Sequence, residues 1–491
     1  MSDLEVEPTI PEEEATRVLG LPKAEREVLW QKTIEAVEKY LEHTGSLRVS
    51  PHLDPAGLRD ELSRFDFKAP LPPCEAIDIV ARNLSANQVH SPHPAYFGLF
   101  NPKPTSVGIA ADALVAAFNP QLAAWSHSPF AAEVERHLVR TFGARFGFPL
   151  ECADGTFCSG GAEANHTAVL TALADHFPKF ESEGIVATDK RPVLYLSSES
   201  HHSFVKAARA CGLGIRSVRT IAVDESLRMD LEALESQLKQ DRAAGSAPFL
   251  LVGTAGTTGA GIVDPLPALA EFARREGLWF HVDAAWGGAS VLVPELRPLL
   301  AGCELADSIT FDAHKWLSVP MGAGMFLTRH PDILTRTFGT GNTYMPREAA
   351  GLDVVDPYSH SMQWSRRFTG LKVFLSLLVA GWPGYEEALR HQVTMGNLLR
   401  QRLSQEGWQA VNRTVLPVVC FVDSGREDEP YLQSILARVL ATGKAWISGA
   451  KVGGRPVLRA CITNYDTQPD HIEGLVRVLA EARDAVGQGV S

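Results

Sequence analysis

The sequence predicts an α/β protein with a mostly parallel central sheet covered by helices, an N-terminal helical arm and a small C-terminal α+β domain. Three observations carry this. Leu278–Val282 (LWFHV) and Ser308–Phe311 (SITF) are short apolar-leaning runs between polar residues and helix signals, as strands buried on both faces are. From about Gly147 to Arg329, strand-like and helix-like stretches alternate, which is the pattern of parallel strands joined by crossover helices. After Gly381-Trp382-Pro383-Gly384 the texture changes to a helix (Tyr385–Glu406), strands near Val418–Val422 and Val457–Thr463, and helices Tyr431–Ala441 and Asp470–Val486. The expected organisation is an arm and pocket loop over 1–100, a large α/β domain over 101–383 and a small domain over 384–491.

Composition narrows the function classes. With 491 residues, 45% hydrophobic and 21% charged, the chain has ample material for a globular core. A net charge of −12 argues against nucleic acid or an anionic membrane as partner, since both reward basic patches. No apolar run approaches the ~18–20 residues that span a bilayer, and Val107–Phe118 and Leu371–Trp382 read as core helices. The start, MSDLEVEPTIPEEEATR, is acidic and lacks the apolar core of a secretory signal. Seven scattered cysteines without a CxxC pair suit reduced thiols and a cytoplasmic protein, and give no zinc signature. His90 and His93 have ligand-like spacing but no third donor nearby, so no metal is expected.

Along the chain, Ala24–Thr44 carries apolar positions at helical spacing and Lys68–Pro73 (KAPLPP) reads as a linker. Gln88–Asn101 is an aromatic, proline-containing loop, and Tyr96 and Phe97 within it are either pocket wall or core. In Thr156–Phe177, Ser159-Gly160-Gly161-Ala162 opens a long helix with little side-chain bulk. Such a turn serves either tight packing or a phosphate held by free N–H groups at the positive end of the helix. Val193–Ser198 is a strand, followed by Glu199-Ser200-His201-His202-Ser203 and the helix Phe204–Cys211. Phe249–Thr254 is another strand. The GxxGxG after it is not a dinucleotide fingerprint, because its helix begins only after Asp264-Pro265, at Leu266–Gly277. Gly339–Tyr358 is long and aperiodic, as active-site lids are.

Two residues point to chemistry. Asp283 ends one buried strand, and Lys315 follows the next in the turn Asp312-Ala313-His314-Lys315. In parallel sheets, ligands collect at the carboxyl ends of strands. A lysine amine serves carbonyl chemistry when desolvated or held as an imine, and an aspartate against a pyridine nitrogen keeps that ring protonated and electron-accepting. Together they suit pyridoxal 5′-phosphate (PLP).

The runs HVDAAWGG and DSITFDAHKW resemble the group II PLP-dependent amino-acid decarboxylases, a family of aromatic-amino-acid, glutamate, cysteine-sulfinate and diaminobutyrate decarboxylases. The resemblance covers roughly residues 85–480. It implies the PLP-dependent transferase-like fold (fold type I) and a homodimer with its sites at the interface. It implies cofactor contacts from Gly161, Ala162, Thr258, Asp283, Ala285, Ser308, His314 and Lys315. His201 would stack on the ring, with His202 as the competing candidate. Tyr344 in the lid would return a proton to the substrate carbon, while Tyr96, Phe97 and Arg366 would face the substrate. The implied activity is removal of the α-carboxylate of an L-amino acid as CO2, making the chain a carboxy-lyase. The alternatives are another fold-type-I PLP reaction, such as decarboxylation-linked oxidative deamination or transamination, and a non-catalytic regulator. Tyrosine at 344 favours the simple decarboxylase. Trp286-Gly287-Gly288 leans toward acidic or small polar substrates and Tyr96-Phe97 toward aromatic ones, so the substrate stays open.

Overall fold

The computed structural model describes residues 19–340 and 351–487, and the chain divides into two compact units at His93/Pro94. Tyr344 and the middle of the expected lid lie outside the described residues.

The first unit is helical: α1 (Lys23–His43), α2 (Pro55–Ser63) and α3 (Pro73–Ala86). The KAPLPP linker ends where Pro73 opens α3, a first-turn position at which the missing proline N–H costs nothing. Lys32 pairs with Asp78 at 2.8 Å, and Asn83 Nδ2 donates to Glu61 Oε1 at 2.9 Å. Helix α1 has no buried residue, and its Val28, Trp30 and Ile34 are more than half exposed. His90 has both ring nitrogens engaged, by Tyr40 Oη (2.9 Å) and the Ser85 carbonyl (3.1 Å). No cluster that could hold a metal ion occurs among the described residues.

The second unit begins with two helices, α4 (Ser106–Phe118) and α5 (Pro129–Phe146). Then come β1 (Asp154–Cys158), α6 (Gly161–His176), β2 (Pro192–Ser197), α7 (Ser203–Ala210), β3 (Val218–Ile221), α8 (Leu231–Ala243) and β4 (Ala247–Thr254). Next are α9 (Leu266–Glu276), β5 (Trp279–Asp283), β6 (Ser308–Asp312) and β7 (Gly324–Thr328). The sheet order is β1-β7-β6-β5-β4-β2-β3, parallel except that β7 runs antiparallel to both neighbours. Every residue of β2, β5 and β6 is buried, which is why these strands read as apolar runs rather than alternating ones.

Helix α6 lies on the sheet through Ala164, Ala168 and Ala172, small residues that let it approach Phe204 of α7 and Leu194, Phe249 and Leu250 of the strands. Asp264 ties the end of β4 in place by accepting the N–H groups of Thr254 (2.9 Å) and Met229 (2.8 Å). Burial raises its carboxyl to about 6.

A long helical segment, α10 (Gly370–Gln405), follows and is broken at Gly381, whose φ of 62° no ordinary helical residue adopts. A second sheet is antiparallel throughout: β8 (Trp408–Ala410), β9 (Val418–Asp423), β10 (Ser448–Val452) and β11 (Arg455–Cys461) in the order β10-β11-β9-β8. It is accompanied by α11 (Glu429–Thr442) and α12 (Pro469–Gly487). The Tyr96-Phe97 segment joins this part of the fold: Phe97 N–H donates to the Trp446 carbonyl (2.8 Å), and Cys461 N–H to the Phe97 carbonyl (2.9 Å). All seven cysteines are free, and no described helix is long and apolar enough to cross a membrane.

Candidate active site

The cleft at the carboxyl ends of β4, β5 and β6 has about 340 Å³ of empty space, lined by Gly161, Ala162, Asn165, His201, Thr254, Gly256, Thr258, Asp283, Ala285, Trp286 and Lys315. Asp283 and Lys315, 32 positions apart in the chain, therefore open into one cavity.

Each lining group has a local reason for its position. Asp283 ends β5 and is buried. Its Oδ2 accepts from Asn165 Nδ2 at 2.8 Å and its Oδ1 from the Ala285 N–H at 3.1 Å. Lys315 lies in the turn after β6, with its Nζ 2.9 Å from Asp312 Oδ2. That same oxygen accepts the Gly161 N–H at 3.0 Å, so one buried carboxylate ties the lysine turn to the first residue of α6. Gly161 admits no bulk: a Cβ there would come within 2.8 Å of Asp312 Oδ2 and 3.2 Å of Ala285 Cβ. Gly256, at φ +100°, turns the chain after β4 where a side chain would meet Gly287 and the Trp286 indole. Trp286 is stacked on Phe100 with ring centroids 4.3 Å apart.

His201 is exposed at the cleft, where desolvation holds its imidazole below the ordinary range; Asp283 opposes that effect and Lys315 adds to it. Ser203 fixes the ring through a 2.9 Å contact between its Oγ and Nδ1 and through its own N–H at 3.2 Å.

Of the residues singled out from the sequence, Gly161, Ala162, His201, Thr258, Asp283, Ala285 and Lys315 come together. The others lie elsewhere. Ser308 stands at the first position of β6, the end opposite the lysine turn, and its Oγ is taken by Trp279 Nε1 and His281 Nδ1, each at 2.8 Å. His314 lies behind the glycine turn, where its Nδ1 accepts the Ala323 N–H (3.2 Å). Tyr96 and Phe97 are buried, and Tyr96 packs against Trp446 with centroids 5.2 Å apart. Arg366 makes a buried ion pair with Glu135 at 2.5 Å and lines a different cavity, with Asp154 and His360. Asn165, Thr254, Gly256 and Trp286 line the cleft without having been singled out as site residues. Asn165 had a signal, since it falls one turn after Gly161 on the same helix face.

The cleft fits PLP on its own features. It offers an amine for the aldehyde, a buried carboxylate for the ring nitrogen and a helix start with no side-chain bulk for the phosphate. A parallel α/β sheet with this donor set at its carboxyl edge defines a PLP-dependent enzyme of fold type I. The comparisons take the assignment further. Residues 65–423 match the pyridoxal-dependent decarboxylase conserved domain. An aromatic-L-amino-acid decarboxylase of Bacillus atrophaeus is 29% identical over 94% of this chain and 97% of its own length. A cysteine sulfinic acid decarboxylase of Mus musculus is 32% identical over 68% of each chain. The solved structure of Oryza sativa TDC with PLP and tryptamine superposes with a TM-score of 0.90 at 25% identity, covering 95% of this chain and 99% of that one. The chain belongs to the pyridoxal-dependent decarboxylase family, the group II PLP-dependent amino-acid decarboxylases, and its cofactor is PLP.

Proposed function

We propose that the chain removes the α-carboxylate of an L-amino acid as CO2 and releases the amine, with Lys315, Asp283 and His201 acting at the cofactor. The observation that carries this reading is the single cleft shared by Asp283 and Lys315. When bound, PLP joined to the substrate amine supplies the electron sink that accepts the pair left behind by the departing carboxylate.

The remaining work falls to the protein's own side chains. Lys315 Nζ, which lines the cleft, would hold the cofactor through its aldehyde carbon. Asp283 accepts the ring N–H and holds that proton in place, a fixed negative charge in a site shielded from water. His201 covers one face of the ring and excludes water from it. Ala162, in the first turn of α6, would present its backbone N–H to the phosphate, while Gly161, its own N–H held by Asp312, leaves room beside it. Asp312 Oδ2, 2.9 Å from the Lys315 amine, would hold that amine in place in the cleft. Tyr344, by the family resemblance, returns the proton to the substrate carbon.

The functional unit is proposed to be a homodimer. Leu114, Phe118, Phe130, Phe368 and Leu371 line one apolar surface cavity, and Phe118 and Phe130 are 82% and 67% exposed, a patch of the kind a second subunit covers. Seven free thiols support a reducing, cytoplasmic setting.

The test is to load the protein with PLP and offer the standard L-amino acids, cysteine sulfinate and diaminobutyrate. One amine released per CO2 from at least one of them is expected. No CO2 from any would overturn the reading, and aldehyde with ammonia in place of amine would reassign the chain to oxidative deamination.

A further inference from the structure

Asp283 is the end of a buried chain of hydrogen bonds. Trp279, His281 and Asp283 alternate along β5 and so share one face of the sheet. Trp279 Nε1 lies 2.8 Å from Ser308 Oγ, which lies 2.8 Å from His281 Nδ1. His281 Nε2 is 3.2 Å from Asn165 Oδ1. Asn165 Nδ2 then reaches two acceptors, Asp283 Oδ2 at 2.8 Å and Ser203 Oγ at 2.9 Å. Ser203 Oγ is 2.9 Å from His201 Nδ1. Every member before His201 is at most 4% exposed.

The two ends fix the direction of each bond between them. An indole N–H only donates and a carboxylate only accepts. Ser308 therefore receives the Trp279 N–H and gives its own proton to His281 Nδ1. His281 carries its hydrogen on Nε2 and donates it to Asn165 Oδ1, with Thr310 Oγ1 also 3.2 Å away. Asn165 is left with its amide hydrogens for Asp283 and Ser203. Ser203, having accepted one, gives its hydroxyl hydrogen to His201 Nδ1, which also accepts the Ser203 backbone N–H at 3.2 Å. The hydrogen of a neutral His201 is then on Nε2. Burial lowers His281 to about 3, so the chain stays neutral at its centre and carries orientation rather than charge.

We propose that Asn165 is a positioning residue that couples the two groups flanking the cofactor. Its amide aims the Asp283 carboxylate at the ring nitrogen and, through Ser203, decides which nitrogen of His201 bears hydrogen. The helix that begins at the phosphate end of the cleft thereby also sets the opposite end, because Gly161 and Asn165 are one turn apart on α6. This rests on the PLP reading above.

The test uses the full chain stripped of cofactor and retitrated with PLP, and with 1-deazapyridoxal phosphate, in which C–H replaces the ring nitrogen. Asn165→Ala is expected to weaken PLP binding about tenfold or more, the scale on which residues supporting a ligand contact act. The same variant should leave the deaza compound within about twofold of its wild-type affinity, since that ring gives Asp283 nothing to hold. Ser203→Ala, which cuts only the His201 branch, should leave PLP affinity within about twofold while shifting the pH profile of kcat/KM. An Asn165→Ala protein that binds both compounds equally weakly, or both as tightly as wild type, overturns the proposal. Should that variant fail to fold, His281→Gln and His281→Leu decide the matter. Glutamine keeps a donor toward Asn165 and should preserve the preference for PLP, leucine should lose it, and identical behaviour of the two overturns the proposal. A wild-type chain that fails to bind PLP would instead refute the cofactor reading itself.

Discussion

Replacing Asp283 by asparagine keeps the shape of the side chain and removes its charge. Asp283 is 4% exposed, and each of its oxygens already accepts one N–H, from Asn165 and Ala285. A carboxylate has room for the cofactor's ring N–H besides these two donors. An amide does not, because its NH2 group must face one of them. Opposite unit charges about 4 Å apart attract by about 4 kcal/mol at the effective dielectric typical of proteins. Removing one partner of a buried pair costs about 3–5 kcal/mol. At about 1.4 kcal/mol per factor of ten, Asp283→Asn should weaken PLP binding by between about a hundredfold and a few thousandfold. Titration of the cofactor-free protein, followed by absorbance and protein fluorescence, measures this, with a melting curve to establish that the variant is folded. A folded variant whose PLP affinity falls less than tenfold would refute the reasoning.

The remaining predictions concern the frame around that charge. Gly161→Ala places a methyl 2.8 Å from Asp312 Oδ2, so it should destabilise the fold by about 1–3 kcal/mol and weaken PLP binding; unchanged affinity would show that the turn does not face the phosphate. Arg366→Ala strands Glu135, whose side chain is 5% exposed, and should cost about 3–5 kcal/mol in denaturant unfolding while leaving PLP titration nearly unchanged. Lost cofactor binding at wild-type stability would contradict this. Burial lowers His281 to about 3 in the folded chain from 6.5 when exposed, so its contribution to stability is complete above about 6.5 and is lost as pH falls toward 3. Asp154 and Asp264, raised by burial to about 6, act in the opposite sense, so the informative quantity is the difference between variant and wild type. His281→Gln should remove about 4 kcal/mol of the stability decline between pH 6.5 and 3, and parallel curves would contradict the assignment.

The strands that place the site were legible because both faces of each are buried, which leaves β2, β5 and β6 as apolar runs. Asp283 stood out because it directly follows such a run, and Lys315 because it lies in the turn after the next one, both at the sheet edge where ligands collect. The edge strands β1 and β3, and the antiparallel β7, were harder to read. β3 has only one buried residue, and β7 continues directly from the glycine-containing stretch after the lysine turn. Asn165 was missed because a polar residue inside a helix ordinarily marks a solvent-facing side. Only the tertiary fold shows α6 pressed on the sheet, with that side chain 1% exposed. Ser308 was misplaced for a directional reason: it belongs to the right strand, but it stands at the first position of β6, the end opposite the lysine turn, so it supports His281 rather than facing the cleft. Arg366 shows the limit of a motif match, since position along the chain does not reveal that Glu135 neutralises it.

The union of Lys315 with the cofactor is the claim on which the rest depends, and borohydride reduction followed by peptide mapping tests it most directly. Reduction of the PLP-loaded protein should fix a pyridoxyl group on the peptide containing Lys315 and abolish the absorbance near ~420 nm expected of lysine-bound cofactor. A pyridoxyl group on any other lysine, or none at all, would contradict the account.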